Sequence, residues 1–258
     1  MALKKTPADN GEINVVRVET GTLTVALVGT TPMIFNSMNK HIMEALLLPP
    51  VKKKRAELES SLKHDPMSEF RRSPTKIDDP KAPTLLAVLS TAVKGALRTA
   101  ALDLPGATKA QIGRLTYVHG ERVPVYGVPK LLCSVVRNSD PGRTPDVRTR
   151  CIVPRWAAIA SITFSKPQLR ETAVANLMAA AGLTVGIGDW RPEKGSGNFG
   201  QFRLAGVDDA ELKEIMAEGG RSAQEEAMAS PECYDSDTEE LLSWFNAEVR
   251  RRGFKVAA

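Results

Sequence analysis

Six of the nineteen glycines in this 258-residue chain fall between Gly182 and Gly200. The stretch reads GLTVGIGDWRPEKGSGNFG and overlaps the FGQFRL segment at 199–204. A run this rich in glycine is too entropically costly to be a packed helix or a regular strand. It is therefore read as a loop, yet it carries Trp190, Arg191 and Lys194. Backbone that can approach a ligand closely, beside cations and an aromatic ring, suits a polyanion such as nucleic acid. In that reading Gly186, Gly188, Gly195, Gly197 and Gly200 allow the close approach. Arg191 and Lys194 contact phosphates, and Trp190 stacks against bases. The competing readings are a plain turn before a last strand and a core position for Trp190.

Residues 195–200 match GxGxxG literally. A dinucleotide site requires a strand before that motif and a helix after it. Here a strand-like segment follows and no βαβ unit surrounds it. No GK[ST] occurs anywhere, which removes a Walker A loop.

Charge points the same way as the loop. The net charge of +5 averages two unlike regions. Residues 205–258 carry −7 and residues 1–204 carry +12. A basic body with an acidic tail fits a nucleic-acid binder. Arg137, Arg143, Arg148, Arg150 and Arg155 crowd into nineteen residues around the turn Asp140-Pro-Gly142. Arginine's planar fork grips phosphate in bidentate fashion, so this hairpin is a candidate phosphate clamp. Asp140 and Asp146 lie among the arginines and would neutralise part of the patch. Lys52, Lys53, Lys54 and Arg55 form a further basic cluster, read either as a solvated loop or as a grip on backbone phosphates.

The function classes that need a recognisable local motif are not in evidence. No HExxH or GxSxG is present. Cys133, Cys151 and Cys233 are well separated, as are His41, His64 and His119, so no zinc spacing arises. Neither a cofactor nor a metal is expected, and the reading leans against an enzyme, with a metal-dependent nuclease as a minor alternative. No apolar stretch is long enough to span a bilayer, and the first residues lack a signal-peptide core. The expectation is a cytoplasmic protein with reduced cysteines.

Along the chain, TLTVALV (22–28) alternates like a half-buried strand. Residues 37–82 look like a long basic insertion with a short helix at 38–48, the rest loosely held. PTLLAVLSTAVKGALRTAAL (83–102) follows the helical period and reads as one helix opened by Pro83. Strand-like segments follow at 114–120, 123–128, 130–136, 147–153 and 156–164. A second helix runs over 167–181 with Gly182 as its stop, and the last strand is 199–204. The tail reads as two helices, 208–218 and 236–251. Trp156 and Trp244 are taken as packing residues.

Strung together, these elements give an α+β chain. The order predicts a ferredoxin-like (RRM-like) four-stranded antiparallel sheet with two helices on one face, long insertions and a helical C-terminal tail. The divisions are an N-terminal segment (1–21), a core domain (22–206) holding the basic insertion 37–82 and the basic hairpin 130–155, and an acidic helical tail (207–258).

This combination resembles the RAMP superfamily, which includes the backbone subunits of CRISPR effector complexes. VGIGDWRPEKGSGNFGQFRL (185–204) is similar to the glycine-rich loop of that family. TTPMIFN (30–36) is similar to a stretch in distant relatives encoded by some phages. The resemblance covers roughly residues 22–204 and is architectural, apart from one loop motif. It implies a protein that binds single-stranded RNA or DNA with residues 186–200 and 137–155, and that forms a head-to-tail homo-oligomer or filament. No membrane partner is expected, since no apolar stretch is long enough to span a bilayer. The other reading of the charge pattern is a self-assembling protein whose basic hairpin meets the acidic tail of the next copy, without nucleic acid.

Overall fold

The structure is a computed structural model and describes residues 17–37, 40–47, 62–137, 142, 144–194 and 197–254. It is a mixed α+β chain built on an antiparallel, curled sheet. Strand β1 (Glu19–Gly29) lies between β9 (Ala157–Lys166) and β10 (Phe202–Ala205). The β1–β9 ladder is long, from Glu19↔Lys166 to Val28↔Ala157. Beyond β9 lie β5 (Thr116–Val118) and β6 (Arg122–Tyr126), then β4 (Leu86–Leu89) and β3 (Thr75–Lys76). A second sheet of three strands, β2 (Met33–Ile34), β8 (Pro145–Val153) and β7 (Lys130–Arg137), stands beside it.

The period-two pattern of β1 divides the two faces of the main sheet. Leu23, Val25 and Leu27 point with Ala158, Ala160, Ile162 and Phe164 into the principal core. Helices α3 (Ser90–Ala100) and α5 (Glu171–Thr184) cover that face through Val93, Leu97, Val174, Leu177 and Met178. The other face is polar along part of its length. There Thr22 meets Thr163 and Thr24 meets Ser161, each at 2.9 Å between hydroxyls. Trp156 is fully buried at the join of the sheets and donates its Nε1–H to the Thr31 carbonyl at 2.9 Å.

Several expectations change here. The four-stranded sheet gives way to a seven-stranded one plus a second sheet. The run 83–102 is not one helix: Leu86–Leu89 is a buried strand and the helix starts at Ser90. A short apolar run satisfies both periods, and pairing of β4 with β6 decides for the strand. The loosely held insertion contains α2 (Pro66–Arg72), capped by Asp65, and β3. The expected short helix at its start is present as α1 (Lys40–Leu47). Gly182 does not stop the second helix, which continues to Thr184. A Cβ at Gly182 would collide with the Phe202 carbonyl, so the glycine lets α5 press directly on β10. Residues 109–115 form α4 (Lys109–Leu115), held by a Thr108/Gln111 capping box.

The tail is fastened to the body. Helix α6 (Ala210–Glu218) covers one end of the second sheet face, packing Leu212 and Ile215 on Val28 and Ala157. Helix α7 (Arg221–Ala229), which the sequence reading treated as linker, carries the fully buried Gln224. Its Oε1 accepts from the backbone N–H groups of Leu85 and Leu86 at 2.8 and 2.9 Å. Its amide donates to the carbonyls of Val125, Gly127 and Gly219 at 2.8 to 3.0 Å. Helix α8 (Ser236–Arg252) docks on β7, where Thr238 Oγ1 accepts from the Cys133 N–H. Trp244, expected to pack, is 61% exposed on this helix, next to the part-exposed Leu241.

Candidate functional site

The glycine run is folded onto the second sheet. After α5 the chain turns back, and Asp189 N–H donates to the Ile34 carbonyl at 2.8 Å, adding a bridge to the edge of β2. Ile187 N–H donates to the Gly200 carbonyl and Gly200 N–H to the Pro32 carbonyl. Gly186, Gly188 and Gly200 hold φ of 73°, 101° and 73°, which side-chain-bearing residues rarely adopt. The close approaches they permit are within the chain. A Cβ at Gly200 would collide with the Ile187 carbonyl, and one at Gly197 with the carbonyl of Trp190. Gly195 lies outside the described residues.

Trp190 sits at φ 54°, an outlier for a bulky residue and a stored backbone strain. Its ring stacks on Phe199 with centroids 5.7 Å apart and 26° between planes, and 38% of the residue remains exposed. It is therefore a supported aromatic surface rather than a core residue. Arg191 donates to Gly188 O at 2.8 Å and grips Glu193 at 3.0 and 2.6 Å. Lys194 ends the short 3-10 turn that follows and is exposed.

The arginines of the hairpin separate into three environments. Arg137 ends β7 and is exposed, as is Arg148 on β8. Arg150 is only 5% exposed. Its guanidinium meets Asp189 at 3.1 Å, and Asn36 donates to the same carboxylate oxygen at 3.1 Å. Burial lowers the proton affinity of Arg150, Asp189 partly restores it, and the charge of nearby Arg148 lowers it again. Among the described residues its Nε has no partner. Arg150 thus anchors the glycine run to β8. Arg155 is elsewhere, in a two-pronged contact with Glu214 of α6 at 2.7 and 3.3 Å. That contact raises the Arg155 pKa and lowers that of Glu214. Arg143 and Lys52, Lys53, Lys54 and Arg55 lie outside the described residues. The loop residues are therefore gathered in one place with Arg150 behind them, and Arg155 is not part of that group.

Behind the loop opens a cleft of about 1090 Å³. Its walls are Gly186–Asp189 of the loop, Asn36 and Ser37 after β2, Lys76 of β3, and the side of α3 from Thr91 to Thr99. Arg71, Arg72 and Arg122 also line it. Sequence reasoning passed over this cleft because its walls come from six separate stretches, and no local spacing marks them. Among the described residues no three His, Cys, Asp or Glu side chains gather as a metal site. Among them, too, no helix is long and apolar enough to cross a membrane.

No protein-family model and no curated protein matches the chain. Among solved structures it is similar to Cmr6 from Pyrococcus furiosus, with a TM-score of 0.36 and 8% identity over 72% of this chain and 99% of that one. It is also similar to a chain of the type III-B Cmr-beta complex bound to cognate target RNA, with a TM-score of 0.30 and 12% identity. That match covers 71% of this chain and 59% of the other. The expectation that the chain is not an enzyme is corrected at this point. That expectation rested on missing local motifs, and these do not decide the matter for a site assembled from distant segments. The physical reason is visible in the site, where Asn36, Arg150 and Asp189 meet from three distant segments that no motif search joins.

Proposed function

We propose that this protein binds single-stranded nucleic acid across the outward side of the glycine run and the adjoining β7–β8 hairpin, and does so as a head-to-tail assembly of copies. The observation that carries the reading is Trp190. A tryptophan held at strained φ, backed by Phe199 and open to solvent, is a costly arrangement that gives a base a flat surface to stack on. Lys194 follows it, and Arg137 and Arg148 are exposed on the hairpin. These cations suit phosphates. Arg150 holds the loop in place rather than touching the ligand.

The strand order β10-β1-β9-β5, with α3 and α5 on one face, supports the ferredoxin-like core of this reading; β3, β4 and the second sheet are additions to it. Exposed Leu46, Leu47, Leu241 and Trp244 support contact with further copies. The acidic tail speaks against an assembly run by hairpin–tail charge alone. Glu214 pairs with Arg155, and Asp209 and Glu211 pair with Arg203, all within one chain. The test is anisotropy of a labelled single strand with wild-type protein and Trp190→Ala, with duplex as comparison. The reading requires preference for the single strand and a loss of about fivefold or more in Trp190→Ala. Equal affinity of the two proteins refutes it.

A further inference from the structure

The cleft behind the loop has features that nothing in the fold requires. Gly95 lies in the middle of α3, where glycine is less stable than alanine. Its backbone is ordinary helix, and a Cβ built on it would meet nothing among the described residues within 4 Å. No turn or close packing accounts for the glycine. What it does is keep the cleft wall low, together with the neighbouring Ala92 and Ala96.

Lys76 is the second feature. It is partly buried in the cleft wall, and burial lowers its pKa; Cys151 partly raises it and nearby Arg71 lowers it again. Among the described residues neither Lys76 nor Arg72 has an acidic partner. The acids of the cleft are engaged elsewhere: Asp189 with Arg150, Glu193 with Arg191, and Asp78 with Arg122 at 3.5 Å, while Glu44 also has a partner. A half-buried cation without a counter-charge is unfavourable unless an anion joins it.

We propose that the cleft is a nucleotide site, taking one nucleoside 5′-phosphate with its phosphate against Lys76 and Arg72 and its base over the low wall of α3 at Ala92, Gly95 and Ala96. The cleft is large enough for this ligand. Its small-residue wall suits a planar ring, and Asn36, Ser37 and Thr91 are at hand for the polar edge of the base. The nucleotide is either free or one unit of a strand. Trp190 does not line the cleft, so this site and the outward surface proposed above can fail separately.

The experiment measures binding of adenosine 5′-monophosphate, uridine 5′-monophosphate, inorganic phosphate and a labelled ten-nucleotide single strand. The proteins are wild type, Lys76→Ala, Gly95→Phe and Gly95→Ala, each checked for folding by circular dichroism and melting. A free-nucleotide site gives saturable monophosphate binding that falls at least tenfold in Lys76→Ala and Gly95→Phe, with Gly95→Ala affected least. A strand-borne nucleotide gives those losses with the ten-mer alone. The proposal is overturned if both variants bind every probe as wild type does, or if inorganic phosphate binds as tightly as the monophosphates and Gly95→Phe leaves it unchanged. It is equally overturned if no probe binds. Strand binding that depends on Trp190 but not on Lys76 or Gly95 keeps the outward surface and removes the cleft. Monophosphate binding without strand binding does the reverse. If Gly95→Phe does not fold, Lys76→Ala and Gly95→Ala decide: unchanged monophosphate and ten-mer affinity in Lys76→Ala sinks the site.

Discussion

The guanidinium of Arg150 stands 3.1 Å from the carboxylate of Asp189, with 6% of its side chain exposed, and this contact ties strand β8 to the glycine run. Removing the carboxylate leaves a buried cation alone. Asp189→Ala is therefore expected to cost about 2–3 kcal/mol, less than for a fully enclosed pair because water reaches Asp189. Urea unfolding measures it. In a double-mutant cycle with Arg150→Met the two effects should be strongly non-additive; simple addition contradicts the pairing.

Gln224 makes five hydrogen bonds to backbone from a fully buried position. Gln224→Ala strands the N–H groups of Leu85 and Leu86 and takes the side-chain donor from three carbonyls, of which that of Gly219 keeps the Gly127 N–H, so a loss of about 3 kcal/mol or more is expected. A melting curve shifted by only a degree or two would mean that α7 is not locked to the body. For the same reason, deletion of residues 207–258 is expected to destabilise the main sheet.

Asp146 receives Lys63 at 2.8 Å and His64 at 3.1 Å, and these hydrogen bonds pull its pKa from 3.8 to about 2. A carboxylate with a depressed folded pKa stabilises the fold above its unfolded value, and that contribution is lost as pH falls through about 2. Carboxyl NMR titration should place Asp146 near 2 in the wild type and nearer the ordinary value in His64→Ala. An unchanged midpoint in the variant removes His64 from the account.

Gly95→Ala fills no occupied space and restores helix propensity. The variant is expected to gain about 0.5–1 kcal/mol of stability. Destabilisation would show that the side of α3 facing the cleft is not open.

What the sequence made legible depended on whether one segment decided its own structure. Alternation placed β1, and an apolar stripe placed the body of α5. The stretch 83–102 failed because TLLAVL fits either period, and the choice was made by β6, more than thirty residues away. Arg148 and Arg150 were both taken as members of one phosphate clamp. Arg148 is exposed, but the base of the hairpin is buried from Thr149 onward on both sides, which takes Arg150 into the interior. The glycine run is a loop, as expected, and of the two readings left open for Trp190 the exposed one holds. Its order was not legible, because its partners are carbonyls at Pro32 and Ile34, over 150 residues earlier. Gln224 carried no signal, since a lone glutamine in a polar helix reads as surface.

The central claim is that exposed cations and Trp190 form a surface for an unpaired strand, and the salt dependence of affinity tests it most directly. Binding of a labelled twenty-nucleotide single strand is measured across a range of sodium chloride concentrations. Three phosphate contacts, from Arg137, Arg148 and Lys194, give a slope of log affinity against log salt of about −2, steeper if residues outside the described segments join in. Trp190→Ala should keep that slope and lose about 1–3 kcal/mol at every salt concentration. A flat salt response, or no binding at the lowest salt, would contradict the account.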